Sequence, residues 1–219
     1  MRVKICGIRR HEDAQLAARL GADAIGVLVG QAHPSGDFIT AEQAAMILHA
    51  LPPLVSGVLV SHWSDANALL PLIAAVEPAV VQLHSPISTA HVEVLRRARP
   101  GLTLLKAIHV NQAEPLAEAL RYAAFVDGFV ADSCNPSTGQ VGGTGLVHDW
   151  SLSARLVEEL PKPLLLAGGL TPDNVTEAIE RVQPWGVDVN SGVKAKHGWK
   201  DAALMERLIQ QAKRAGASR

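Results

Sequence analysis

The chain has 219 residues, 48% of them hydrophobic and 19% charged, with a formal net charge of −1. That length and apolar content suit one large core in a single domain spanning 1–219, and the near-neutral charge excludes a basic field that would draw in nucleic acid. No stretch approaches the ~18 continuous apolar residues of a membrane span, no signal peptide is expected around Lys4, Arg9 and Arg10, and the two cysteines, Cys6 and Cys134, imply no disulfide framework but a reducing, cytoplasmic setting.

A strand is predicted over Val3–Cys6, then a helix over about 11–20 that stops at Gly21. Strand Ala24–Val29 follows, with a helix over 40–50 opened by Thr40. Strands Val55–Val60 and Ala79–His84 precede helices over 65–76 and 88–98, the second opened by Ser88 and followed by Gly101. The remaining pairs are Leu102–Ile108 with 113–123, Gly128–Ala131 with 150–160, Pro163–Ala167 with 173–182, and Gly186–Val189 with 200–215. Thr171-Pro172-Asp173-Asn174 reads as the start of the seventh helix. The strands are near-continuous apolar runs, as expected when both faces of a parallel sheet are covered. Eight strand–helix alternations predict an α/β fold, the (β/α)8 or TIM barrel. The first turn lacks G-x-G-x-x-G, against a dinucleotide-binding open sheet. The longest loops, about 30–39, 132–148 and 190–199, all follow strands and so fall on the catalytic face of a barrel.

Cys6 ends the first strand, where a barrel places reacting groups. A thiol with a reference pKa near 8.5 needs only a modest shift to act as base or nucleophile, and Lys4, two residues earlier on the same strand face, is expected to favour the thiolate. A buried structural cysteine is the alternative. Asp132 closes the sixth strand and suits a general acid if burial raises its pKa; a turn or cap role is the alternative. Asp127 lies at the opposite end of that strand and reads as structural. Gly142, Gly143 and Gly145, with Gly168 and Gly169 after strand seven and Ser191 and Gly192 after strand eight, form a candidate phosphate cradle. Barrel phosphate sites are built from backbone N–H groups of these loops, and glycine lets the backbone come close to the anion.

The segments Val3-Lys4-Ile5-Cys6-Gly7-Ile8, Glu12-Asp13-Ala14, Gly21-Ala22-Asp23-Ala24-Ile25-Gly26, Val81-Gln82-Leu83-His84 and Lys106-Ala107-Ile108 occur in order along the first half. Gly142-Gly143-Thr144-Gly145, Asp149-Trp150, Leu166 to Val175, Gly186 to Val189 and Ser191-Gly192-Val193 continue the pattern. Over nearly its whole length the chain resembles the phosphoribosylanthranilate isomerase family of tryptophan biosynthesis. The resemblance implies a (β/α)8 barrel, a small phosphorylated substrate, an Amadori rearrangement without cofactor or metal, and a monomer or homodimer. It also implies that Cys6 is the general base and Asp132 the general acid.

The chain departs from the family pattern at one end of the pocket. After strand two the family shows a Ser-Pro-Arg segment whose arginine holds the anthranilate carboxylate; here the segment is Gly30 to Phe38, without arginine. The family's arginine after strand five is His109, and its glutamate after strand eight is Lys194. The substrate pocket is expected to be formed by Lys4, His33, Asp37, His62, Gln82, His84 and His109, less cationic than the family norm. That leaves a paralogue acting on a different phosphorylated sugar-amine as an alternative. Histidines 33, 62, 84 and 109 each follow a strand. They read as polar pocket lining, with a metal-dependent lyase or hydrolase using His33, His62 and His109 as the further alternative. A non-catalytic phosphate-ligand binder is disfavoured by Cys6 and Asp132, which mere binding does not need.

Overall fold

The computed structural model describes residues 1–31, 35–110, 114–133 and 149–217. Eight strands alternate with eight helices: β1 (Arg2–Ile5), α1 (His11–Arg19), β2 (Ala24–Leu28), α2 (Ala41–His49), β3 (Ser56–Ser61), α3 (Ala66–Val76), β4 (Val80–Leu83) and α4 (Thr89–Ala98) in the first half. The second half adds β5 (Thr103–His109), α5 (Pro115–Tyr122), β6 (Gly128–Asp132), α6 (Trp150–Glu159), β7 (Leu164–Leu166), α7 (Val175–Val182), β8 (Gly186–Val189) and α8 (Ala202–Ala217). Each strand pairs in parallel with the next, and β8 pairs with β1 to close the barrel.

The near-continuous apolar strands follow from this closure. Val3, Ile5, Ile25, Leu59 and Val81 belong to the large core, which also takes in the buried helix residues Ala14, Leu69 and Val92. Full burial of each such aliphatic side chain is worth about 1.5–3 kcal/mol. The alternate residues form two smaller clusters, Cys6, Leu28, Val58 and Val60 on one side and Ala107, Val130, Leu165 and Ala167 on the other. Lys4, Gln82, Asp132 and Asp188 have this second parity, which puts polar groups into the barrel mouth.

Thr40 caps α2 with a full capping box to Gln43, and the Ser88 side chain accepts from His91 N–H to cap α4. The seventh helix begins later than the sequence predicts, at Val175. Asn174 turns back instead: its Nδ2 donates to Gly169 O at 3.0 Å, and its Oδ1 accepts from Thr171 N–H at 2.8 Å. Pro172 therefore lies in a turn that braces the loop after β7. No helix of the described residues is long and apolar enough to cross a membrane.

Candidate active site

The site grows from the inward parity of β1. Lys4 is 2% exposed, yet its Nζ donates to Asp188 Oδ2 at 2.7 Å and Gln82 Oε1 at 2.8 Å, and lies 3.4 Å from Cys6 Sγ. A buried ammonium is tolerated only with such partners. Burial works against the charged lysine, but Asp188 and Cys6 outweigh it and hold its pKa above the ordinary value. Gly26 on β2 makes the space: a Cβ there would sit 2.9 Å from Cys6 Sγ and 3.0 Å from Lys4 Cε. Gly7 has φ +67°, and a Cβ there would meet Asn190 Oδ1 at 2.3 Å. Only glycine suits that backbone and lets Asn190 close over the end of β1.

Burial pushes the Cys6 thiol up. Lys4 pulls it down, Asp188 pushes it up again, and the balance stays above the ordinary value. Lys4 thus favours the thiolate, as the sequence leads one to expect, but Asp188 shares the ammonium and burial is the larger effect. Burial, then the charge of Asp188, raises Asp132 to about 7, although Ser133 N–H donates to its Oδ1 at 2.7 Å. A carboxyl poised there is protonated in good part at neutral pH, as a general acid requires.

Cys6 and Asp132 line one cavity of about 480 Å³ at the barrel mouth, together with Asp188, Gln82, His62 and His84. Gly168, Gly169 and Ser191 line it as well. Gly192 packs behind, where a Cβ would fall 1.9 Å from Leu170 O, so the loops after β7 and β8 are in contact. Gly168, at φ +80°, lets the loop after β7 approach Ser133 N within 2.9 Å of a hypothetical Cβ.

The histidines form a ladder. His62 stacks on His84 at 4.6 Å between ring centroids and 20° between planes; Phe38 meets the far side of the ladder edge-on at 5.1 Å from His62. His109 packs edge-on to His84 at 5.3 Å and donates from Nε2 to His84 O at 3.0 Å. Burial lowers its pKa to about 4, which keeps it neutral. His109 thus supports His84 from behind and is not part of the cavity lining, unlike the sequence expectation. Stacked rings do not aim their nitrogens at one point, and among the described residues no three His, Cys, Asp or Glu side chains are grouped to hold a metal. His33, Gly142, Gly143 and Gly145 lie outside the described residues.

Asp37 lines the cavity, but as one half of an ion pair. Lys194 Nζ contacts both its carboxylate oxygens, at 2.5 and 2.6 Å, and Asn190 Nδ2 donates to it at 2.9 Å. Lys200 Nζ in turn donates to Asn190 O and Oδ1, and burial lowers its pKa to about 7. Arg9 and Lys194 both line the cavity, Lys194 as the partner of Asp37. Arg9, Asp188, Lys194 and Lys200 escape sequence reasoning as site residues. Asp188 had a signal, an acidic residue inside an apolar strand run.

The family model for N-(5'-phosphoribosyl)anthranilate isomerase matches residues 3–211. The chain belongs to that isomerase family. It is 42% identical to N-(5'-phosphoribosyl)anthranilate isomerase 2 of Methanosarcina mazei over 213 residues, 97% of this chain and 94% of the relative. The crystal structure of the isomerase from Thermotoga maritima superposes with a TM-score of 0.82 at 35% identity, covering 97% of this chain and 98% of that one. A second isomerase structure, in complex with reduced 1-(o-carboxyphenylamino)-1-deoxyribulose 5-phosphate, gives a TM-score of 0.80 at 33% identity, again over 97% and 98% of the two chains. These isomerase relatives match the chain nearly end to end, so the family and the barrel fold are shared over that length.

Proposed function

We propose that the chain isomerises N-(5'-phosphoribosyl)anthranilate to 1-(2-carboxyphenylamino)-1-deoxyribulose 5-phosphate, with Asp132 as general acid and Cys6 as general base. The supporting observation is that these two groups line one cavity whose wall continues into the glycine-rich loops after β7 and β8. Asp132 gives its proton to the ribose ring oxygen, and the ring opens to a protonated imine. Cys6 takes the proton from the adjacent sugar carbon. The electron pair left behind moves toward the imine nitrogen, giving an enolamine that tautomerises to the ketone. The iminium is the electron sink, so the steps call for no metal.

Lys4 has a positioning role. Its ammonium lies 3.4 Å from Cys6 Sγ and steadies the thiolate as it forms, while Asp188 fixes the ammonium in place. Gly168, Gly169, Ser191 and Gly192, with Gly142, Gly143 and Gly145, hold the substrate phosphate through backbone N–H groups. Gln82, His62 and His84 shape the wall beside the reacting sugar; Lys4, expected in that wall from the sequence, lies behind it, enclosed by Asp188 and Gln82. A buried free thiol suits work in the cytoplasm, as a monomer or homodimer. Incubating the purified chain with N-(5'-phosphoribosyl)anthranilate and following the ketose product by NMR tests the assignment; substrate recovered unchanged would overturn it.

A further inference from the structure

Arg9, on the loop after β1, stands in the cavity wall with no part in the proton transfers. Its guanidinium is held in place by groups from two other loops. Nη1 donates to Gly36 O at 2.6 Å after β2, and Nη2 donates to Gly198 O at 2.8 Å after β8. The Trp199 ring lies 4.1 Å from the guanidinium carbon, and Arg10, itself gripped by Asp13, lies 4.5 Å from the same ring. Among the described residues two of its five N–H donors find partners, which leaves a fixed fork.

The neighbouring charges give this cation its meaning. Lys194, the other lysine or arginine that lines the wall among the described residues, is neutralised by Asp37. Arg9 has no carboxylate within ion-pair distance among the described residues. Asp37 falls in the segment where the family pattern has its arginine, so the loop after β2 presents a carboxylate that would repel an anionic ligand. Lys194 and Asn190 mask it. A preorganised guanidinium without a counter-ion, in a pocket wall, matches a planar carboxylate.

We propose that Arg9 binds the carboxylate on the aromatic end of the substrate and sets specificity for a carboxylated amine, a role taken over by the loop after β1. This rests on the isomerase reading. The test is calorimetric binding to the full-length protein of reduced 1-(o-carboxyphenylamino)-1-deoxyribulose 5-phosphate and of its phenylamino counterpart without the carboxylate. The wild type should prefer the carboxylated ligand by about 10- to 150-fold, the span of a hydrogen bond to a charged group. Arg9→Met, which keeps an apolar stem against Trp199, should bring that preference to within about 3-fold while the carboxylate-free ligand binds as before. Arg9→Lys should recover part of the preference, and it carries the test alone if the methionine variant misfolds. Full preference retained in the variants, or equal weakening of both ligands, would overturn the assignment and leave Arg9 a loop clamp. If the wild type bound neither ligand, the isomerase reading itself would fall, and this assignment with it.

Discussion

Asp188 Oδ2 lies 2.7 Å from Lys4 Nζ, and both side chains are almost fully enclosed. That ion pair joins β8 to β1 across the closure of the barrel. It places a fixed negative charge whose field raises both Cys6 and Asp132. Removing it should therefore act on stability and on titration together. Asp188→Asn leaves a buried ammonium without its counter-ion, a loss of about 3–5 kcal/mol in denaturant unfolding. The same variant should move the Cys6 thiol to lower pKa, read from thiolate absorbance. A thiol titration that does not move would show that Asp188 does not tune the base.

Asp132 should cost the fold stability at neutral pH. Its folded pKa of about 7 is above the unfolded carboxyl value, so the folded state binds the extra proton. Stability is therefore fully present below about pH 4, falls as pH rises, and levels off above about 7. Asp132→Asn removes the penalty. It should raise stability by about 2–4 kcal/mol at pH 8, and the gain should shrink toward zero as pH falls to about 4. Equal stability of variant and wild type at pH 8 would mean the carboxyl is not strained by burial.

The pH profile of kcat/KM should be a bell set by the pair. An acid at about 7 and a thiol above its ordinary value put the rising limb near 7 and the falling limb above the normal thiol range. The form with ionised thiol and protonated carboxyl is then a minor one, and its fraction is constant between the limbs. Conservative replacement of Asp188 by Asn should shift both limbs to lower pH. A profile that is flat from pH 6 to 9 would contradict this pairing.

Much of this was legible from local pattern. Apolar runs without alternation mark strands covered on both faces, and Cys6 and Asp132 each stand at a strand end where a barrel gathers its chemistry. The rest depends on contacts that no local pattern carries. Lys4 meets Asp188 across 184 residues of chain, and Lys194 meets Asp37 across 157. The loss of a family arginine from the segment Gly30 to Phe38 and the exchange of a glutamate for Lys194 read separately as two losses; in space Asp37 of that segment and Lys194 form one ion pair. His109 ends its strand as expected, but a strand end does not say which way a ring turns, and His84 O draws the ring behind the pocket. Arg9 lies beyond the motif that includes Cys6, and only the loops after β2 and β8 reveal its place.

Cys6 and Asp132 are proposed to move the protons of an Amadori rearrangement. Steady-state turnover of N-(5'-phosphoribosyl)anthranilate by the wild type, Cys6→Ala and Asp132→Asn, with circular dichroism to confirm folding, tests it most directly. The wild type should turn the substrate over with a kcat/KM in the ordinary enzyme range of about 10⁴–10⁸ M⁻¹s⁻¹. Each variant should fall by ~10²-fold or more in kcat, the weight of a positioned acid or base. A folded variant of either residue that keeps near wild-type kcat, or a wild type that leaves the substrate untouched, would show that this pair does not carry the proton transfers.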